Sequence, residues 1–216
     1  MNAANVTGQL LVLAKRPIAG RVKTRLCPPC TPQEAAGVAA AALADTLDAV
    51  RRTPVTRRVV AFDGPTESTV DLEAIRQRGD GLGERIANAF ADTAARNPDP
   101  VVQIGMDTPQ VTPELLTAAL QLLAHNDAVL GLAEDGGWWA LGLRDAHRAS
   151  VLPDVPMSTS DTGRLTIAAL EGAGARIGYL PRLRDVDTID DAQLVAESVP
   201  GSRFARAVEE LSCTAR

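Results

Sequence analysis

Five basic residues fall within eleven positions of an otherwise acidic chain: Lys15, Arg16, Arg21, Lys23 and Arg25. They surround Gly20 in the segment running from Ala14 to Leu26. Arginine grips phosphate as a planar fork and lysine as a point charge, and a glycine lets backbone amides close around an anion. The segment reads as a phosphate cradle; the plainer alternative is a solvated basic loop. It lacks the Gly-x-x-x-x-Gly-Lys-Ser/Thr spacing of a Walker A loop. A second glycine-rich stretch, Gly81-Leu82-Gly83-Glu84-Arg85, opens a helix whose free amides would favour anions. Arg85 then sits beside the site, or is an ordinary surface arginine.

Carboxylates recur at turns. Gly105-Met106-Asp107-Thr108-Pro109 follows an apolar run, so Asp107 stands where a strand end could offer a divalent cation a hard oxygen ligand. Capping the turn before Pro109 is the simpler role. In Asp185-Val186-Asp187-Thr188 the period-two spacing points both acids to one side of an extended chain. They could complete a metal site, or Asp187 or Thr188 could cap the helix that follows. Glu134-Asp135-Gly136-Gly137-Trp138-Trp139 joins two acids, a flexible turn and two indoles. On a strand the two tryptophans face opposite ways, so one belongs to the core and the other can shape a pocket. A hairpin turn with two buried tryptophans is the alternative.

Two other patterns carry little. Cys27-Pro28-Pro29-Cys30 has no second cysteine pair for zinc and no thioredoxin-like setting. His125 and His147 have no nucleophile motif near them, which argues against a hydrolytic triad.

The candidate residues must be held by regular elements. An apolar run over 9–14 predicts a strand buried on both faces. Thr31-Pro32-Gln33-Glu34 predicts a capping box opening a long helix with an Ala/Val/Leu stripe. Further strands are predicted over 58–62, 101–105, 128–133, 139–143 and 176–180. Helices are predicted over 72–77, 84–95, 113–124 and 161–171, from about 189, and over 203–211. The last carries Phe204, Val208 and Leu211, which could pack on its own domain or on a second subunit. Strands alternating with helices predict a three-layer α/β/α fold with a mostly parallel mixed sheet, and ligands on such sheets lie at the carboxyl ends of strands.

Composition limits what these elements serve. The 216 residues suit a single domain across 1–216, with 45% apolar residues, and need no disulfide or metal staple to fold. Lys and Arg number 22 against 27 Asp and Glu, a net charge of −5 that argues against a nucleic-acid partner. No stretch is apolar for long enough to span a membrane, and the N-terminal residues lack a basic leader pattern, so a cytoplasmic setting is expected.

Taken in order, the basic loop, Gly105…Asp107-Thr108-Pro109, Glu134 to Trp139 and Asp185 to Thr188 resemble the DUF2064 family over about residues 9 to 198. This family is similar to the GT-A glycosyltransferases and is related to the 2-phospholactate and molybdopterin guanylyltransferases. The resemblance implies a nucleotide-diphospho-sugar transferase fold and a Mg²⁺- or Mn²⁺-dependent nucleotide site. It matches Asp107 to the first metal carboxylate, Asp185 and Asp187 to the distal acidic pair, and Lys15, Lys23 and Arg25 to the basic signature loop. Trp138 stands where the family more often has Tyr, and Pro156-Met157-Ser158-Thr159 replaces the usual Pro-Trp-Ser-Thr. With the readings of the loops above, Ala14, Lys15, Arg16, Gly20, Lys23, Arg25, Arg85 and Gly105 are expected to hold nucleotide phosphates. Glu134, Asp135, Gly136, Gly137 and Trp138 face a small-molecule acceptor. Lys23, Arg25, Asp107 and Asp187 carry the chemistry. The expected reaction is nucleotidyl transfer from a nucleoside triphosphate; glycosyl transfer from a nucleotide sugar and non-catalytic nucleotide binding are the alternatives.

Overall fold

The computed structural model describes residues 6–64 and 72–214. Strand β1 (Val6–Lys15) leads through the basic loop, which contains a short 3₁₀ turn at Thr24–Leu26, into helix α1 (Pro32–Arg52). The predicted capping box is present: the Thr31 hydroxyl accepts from the Glu34 amide, and the Thr31 amide donates to the Glu34 carboxylate. There follow β2 (Val55–Asp63), β3 (Glu73–Arg76), α2 (Leu82–Ala94), β4 (Val101–Ile104) and α3 (Pro113–Leu122). The hairpin β5 (Ala128–Ala133) and β6 (Trp138–Leu143) leads through a 3₁₀ segment, Ala146–Asp154, to α4 (Thr162–Gly172). Strand β7 (Ile177–Leu183), α5 (Ile189–Ser198) and α6 (Arg203–Thr214) complete the chain.

Among the described residues the strands form one seven-stranded sheet in the order β3-β2-β1-β4-β6-β5-β7. Only β6 runs antiparallel to its neighbours. One face buries Leu10, Val12, Val102 and Ile104 against the Ala39, Leu43, Leu47 and Val50 stripe of α1 and against Leu116 and Leu120 of α3. The other buries Leu11, Val59 and Leu141 against Ile86 and Phe90 of α2, Leu152 and Leu170. A third cluster lies on the far side of α1, where Ala35, Val38 and Ala42 meet Val195, Phe204 and Val208. Helix α6 therefore packs on its own chain, which resolves the choice left open for Phe204, Val208 and Leu211.

One expected element is corrected. Residues 72–77 do not form a helix: Glu73–Arg76 is the edge strand β3, paired parallel with β2 from Val59↔Glu73 to Phe62↔Arg76. Six residues make too few helical bonds to offset nucleation, whereas the sheet edge supplies ready partners. Arg57 then locks the edge with two bonds to the Glu73 carboxylate, each 2.7 Å.

Candidate active site

The carboxyl ends of β1, β4 and β7 open into a cleft of about 740 Å³. Two buried side chains fix the basic loop above it. Val22 enters the core on one face of the sheet, and Leu26 enters the cluster beside α1. Between them Lys23 takes a left-handed backbone (φ 49°, ψ 37°), a conformation disfavoured for a residue with a Cβ. Its side chain, 6% exposed, turns inward. The ammonium sits 2.9 Å from Asp107 Oδ1 and 4.0 Å from Asp187 Oδ1, and donates to the Val186 carbonyl. Arg25 closes the outer side with a 3.0 Å contact to Asp187 Oδ2.

The acids are brought together by the same logic. Val186 is fully buried in the cluster that holds Leu26, so Asp185 and Asp187 are presented on either side of a pinned residue. The Val186 amide faces the Asp107 carbonyl at 3.4 Å, which ties the loop after β7 to the turn after β4. Thr108, almost wholly buried, donates to Asp185 Oδ1 at 3.2 Å. Burial, with Asp135 and Asp107 nearby, raises the Asp185 carboxyl to about 7, against the opposing pull of Lys23 and Thr108. Thr188, not Asp187, caps α5, in a capping box with Asp191, and so leaves Asp187 to the cleft.

The opposite wall is the β5–β6 turn. The Gly137 amide donates to Asp135 Oδ1 at 2.8 Å, and the Gly136 carbonyl accepts from the Gly163 amide of α4 at 2.8 Å. Gly136 has φ 92°, and a Cβ there would lie 1.9 Å from the Ser160 carbonyl oxygen, so glycine is required. Trp139 is the core tryptophan, 2% exposed, its indole donating to the Pro181 carbonyl. Trp138 is half-buried on the cleft, its indole donating to Thr166.

Most of the expected residues converge. Ala14, Lys15, Lys23, Arg25, Arg85, Gly105, Asp107, Asp135, Gly137, Trp138, Asp185 and Asp187 line the cleft. Arg16, Gly20, Glu134 and Gly136 lie outside its lining. Glu134 instead pairs with Arg184, and Gly136 is spent on packing against α4. Arg85 faces the cleft while holding Asp63 at 3.2 Å. The structure adds Gln77, Gln103, Met157, Ser158 and Thr159 to the lining. Gln103 had a readable signal, a lone amide in the run Val101-Val102-Gln103-Ile104. Gln77 and Ser158 had none, because each lies in a connecting segment whose place at the cleft depends on the tertiary fold.

Chemically, the cleft sets cationic side chains beside three converging carboxylates. Among the described residues no group of three or more acidic, imidazole or thiol side chains is arranged as a ready-made metal cage. Mg²⁺ commonly takes only one or two carboxylates and fills its shell with substrate phosphates and water, so it does not require such a cage. Burial is the main cause of the raised Asp185 carboxyl, and the nearby Asp135 and Asp107 charges add to it. The donor set, all hard oxygen, fits Mg²⁺ or Mn²⁺.

Residues 46–159 match the family of uncharacterised proteins conserved in bacteria, DUF2064. No curated protein matches the chain at the level of sequence. A Desulfovibrio desulfuricans G20 protein described as a candidate nucleotide-diphospho-sugar transferase superposes with a TM-score of 0.87 at 25% identity, covering 95% of each chain. A CMP:2-keto-3-deoxy-manno-octonic acid synthetase complexed with CTP has a TM-score of 0.57 at 14% identity, covering 94% of this chain and 99% of its own. Mycobacterium tuberculosis Rv0371c in complex with manganese has a TM-score of 0.54 at 20% identity, covering 88% and 97%. The last two share the fold.

Proposed function

The chain belongs to the DUF2064 family, and from that premise we propose that it is a metal-dependent nucleotidyltransferase, acting as one domain and suited to the cytoplasm, where nucleoside triphosphates are abundant. It moves a nucleoside monophosphate from a triphosphate to a small phosphorylated or acidic acceptor. The observation that carries this reading is the meeting of the basic loop with Asp107, Asp185 and Asp187 at one cleft, with Lys23 already between the two sides.

In this reading Lys15, Lys23 and Arg25 hold the β- and γ-phosphates. An acceptor oxygen attacks the α-phosphorus, the bond to the bridging oxygen breaks, and pyrophosphate leaves carrying its charge onto those cations. A phosphate or carboxylate acceptor is already ionised, so no protein base is needed. Asp107 with Asp185 or Asp187 would hold Mg²⁺ or Mn²⁺, which supplies charge neutralisation at the phosphates. The chain's own residues act by positioning and by fixed charge. Asp135, Gly137 and Trp138 form the wall against which the acceptor lies. Lys23 keeps the acids together before the nucleotide arrives.

A second reading, glycosyl transfer from a nucleotide sugar, is favoured by the similarity at 25% identity to a candidate nucleotide-diphospho-sugar transferase. Labelled substrates separate the two. With α-labelled triphosphates, Mg²⁺ and a protein-free extract of small metabolites, nucleotidyl transfer puts the label into a new compound and releases pyrophosphate. Asp107→Asn abolishes both. Sugar transfer from a nucleotide sugar, with no label moving from any triphosphate, contradicts the nucleotidyltransferase reading.

A further inference from the structure

Gln103 is a polar residue in a strand that is buried throughout, flanked by Val101, Val102 and Ile104. It is 2% exposed and pairs in register with Leu11 of β1 and Leu141 of β6. Those two leucines belong to the core beneath α2, so the Gln103 side chain leaves the same face of the sheet. It lines the cleft, yet its amide oxygen Oε1 has no hydrogen-bond partner among the described residues.

Gln110 also has a buried amide oxygen without a partner but lies outside the cleft lining, whereas Gln9 of the sheet and Gln77 just beyond β3 are paired. Gln9, also buried, donates to the Asn97 and Asp99 carbonyls and accepts from Arg57. Gln77 donates to the Ala14 and Ala61 carbonyls. A buried amide left unpaired is destabilising, and a methionine of similar length would avoid the penalty. Retaining glutamine at 103 makes physical sense if a ligand completes the bond. The side chains that share the cleft with it, Leu13, Ile86, Met157 and Trp138, offer flat apolar contact, while Lys23 and Arg25 offer charge. A ligand that satisfies both has an anionic end and an apolar-faced end carrying an N–H or O–H. A nucleoside phosphate has that form.

We propose that Gln103 is a specificity-determining residue of the cleft, its carboxamide accepting a hydrogen bond from the base or ribose of the bound nucleotide. This rests on the nucleotide reading above. Stability and affinity together test it. Purified wild type and Gln103→Met are melted without ligand, then titrated with Mg²⁺ and each of the four ribonucleoside triphosphates, the matching deoxynucleotides and inorganic tripolyphosphate. The free variant should melt at or above the wild-type temperature, since an unpaired polar group has been removed. Its affinity for the preferred triphosphate should fall about 10-fold or more, because a site built for a donor loses its acceptor. Its affinity for tripolyphosphate should not change. If the loss appears only with ribonucleotides, the partner is the 2′-hydroxyl; if it appears with both series, the partner lies elsewhere on the nucleoside. A variant that melts below wild type, binds the preferred triphosphate equally well, or loses tripolyphosphate affinity in step overturns the proposal. Wild type that binds no triphosphate better than tripolyphosphate overturns the nucleotide reading itself, and the melting comparison still decides whether Gln103 serves the fold.

Discussion

Lys23 is a cation held in place by its neighbours. Val22 and Leu26 bury on either side of it, its backbone adopts a left-handed turn, and its ammonium rests on Asp107. Lys23→Met would leave Asp107, Asp185 and Asp187 facing one another without their internal counter-charge. We expect turnover to fall by about 10²-fold or more, the scale seen when one preorganised charge is removed from a transition state. We also expect a lower melting point for the free protein. A rate within a few-fold of wild type would show that the ammonium is structural only. At this scale the sequence was informative about residue type and less so about direction. The cluster of Lys15, Lys23 and Arg25 was visible, but not that Lys23 folds inward onto the acids. That depends on Val22 and Leu26 finding separate cores, a tertiary fact. Glu134 shows the same limit: its carboxylate is claimed by Arg184, which lies far along the chain.

Elements place these residues, and two are open to direct test. The β5–β6 turn is clamped to α4 at Gly136, where both a φ of 92° and the Ser160 carbonyl exclude a side chain. Gly136→Ala should destabilise the fold by about 2 kcal/mol or more, through strain and displacement of the cleft wall. Urea unfolding measures this, and a change below about 0.5 kcal/mol would contradict the clamp. Edge strand β3 is held by Glu73. Its hydrogen bond to the Arg57 guanidinium holds the carboxyl below the usual range, with Arg96 adding to the effect. The folded state therefore binds this proton less readily than the unfolded chain. The stabilisation is complete above the unfolded value and is lost as pH falls through the lower, folded one. Glu73→Gln should lower the melting point near neutrality and flatten its fall on acidification; a parallel pair of pH curves would contradict this. Helix starts were legible where a cap was written in the sequence, as at Thr31, whereas after β7 Asp187 and Thr188 stood as alternatives and the fold selects Thr188. The strand at Glu73–Arg76 was not, because an edge strand of four residues has no periodicity of its own and is recruited by β2 and Arg57.

At the scale of the whole molecule, a mostly parallel sheet delivers its loops to one end, and three of those loops supply complementary charge. The loop after β1 brings cations, and the turns after β4 and β7 bring carboxylates. The alternation of strands and helices was enough to place the cleft, and the order of motifs was enough to indicate the family. In the function proposed above, this cleft binds a metal–nucleotide complex through Asp107. The most direct measurement is the melting temperature of wild type and Asp107→Ala with nucleoside triphosphates and nucleotide sugars, each with and without Mg²⁺ or Mn²⁺. A ligand that binds only the folded state raises stability as RT ln(1 + [L]/Kd), about 2.7 kcal/mol at a hundredfold excess over Kd. At least one triphosphate should raise the wild-type melting point only when metal is present, and Asp107→Ala should lose the rise. No rise with any nucleotide, or an equal rise in the variant, would contradict it.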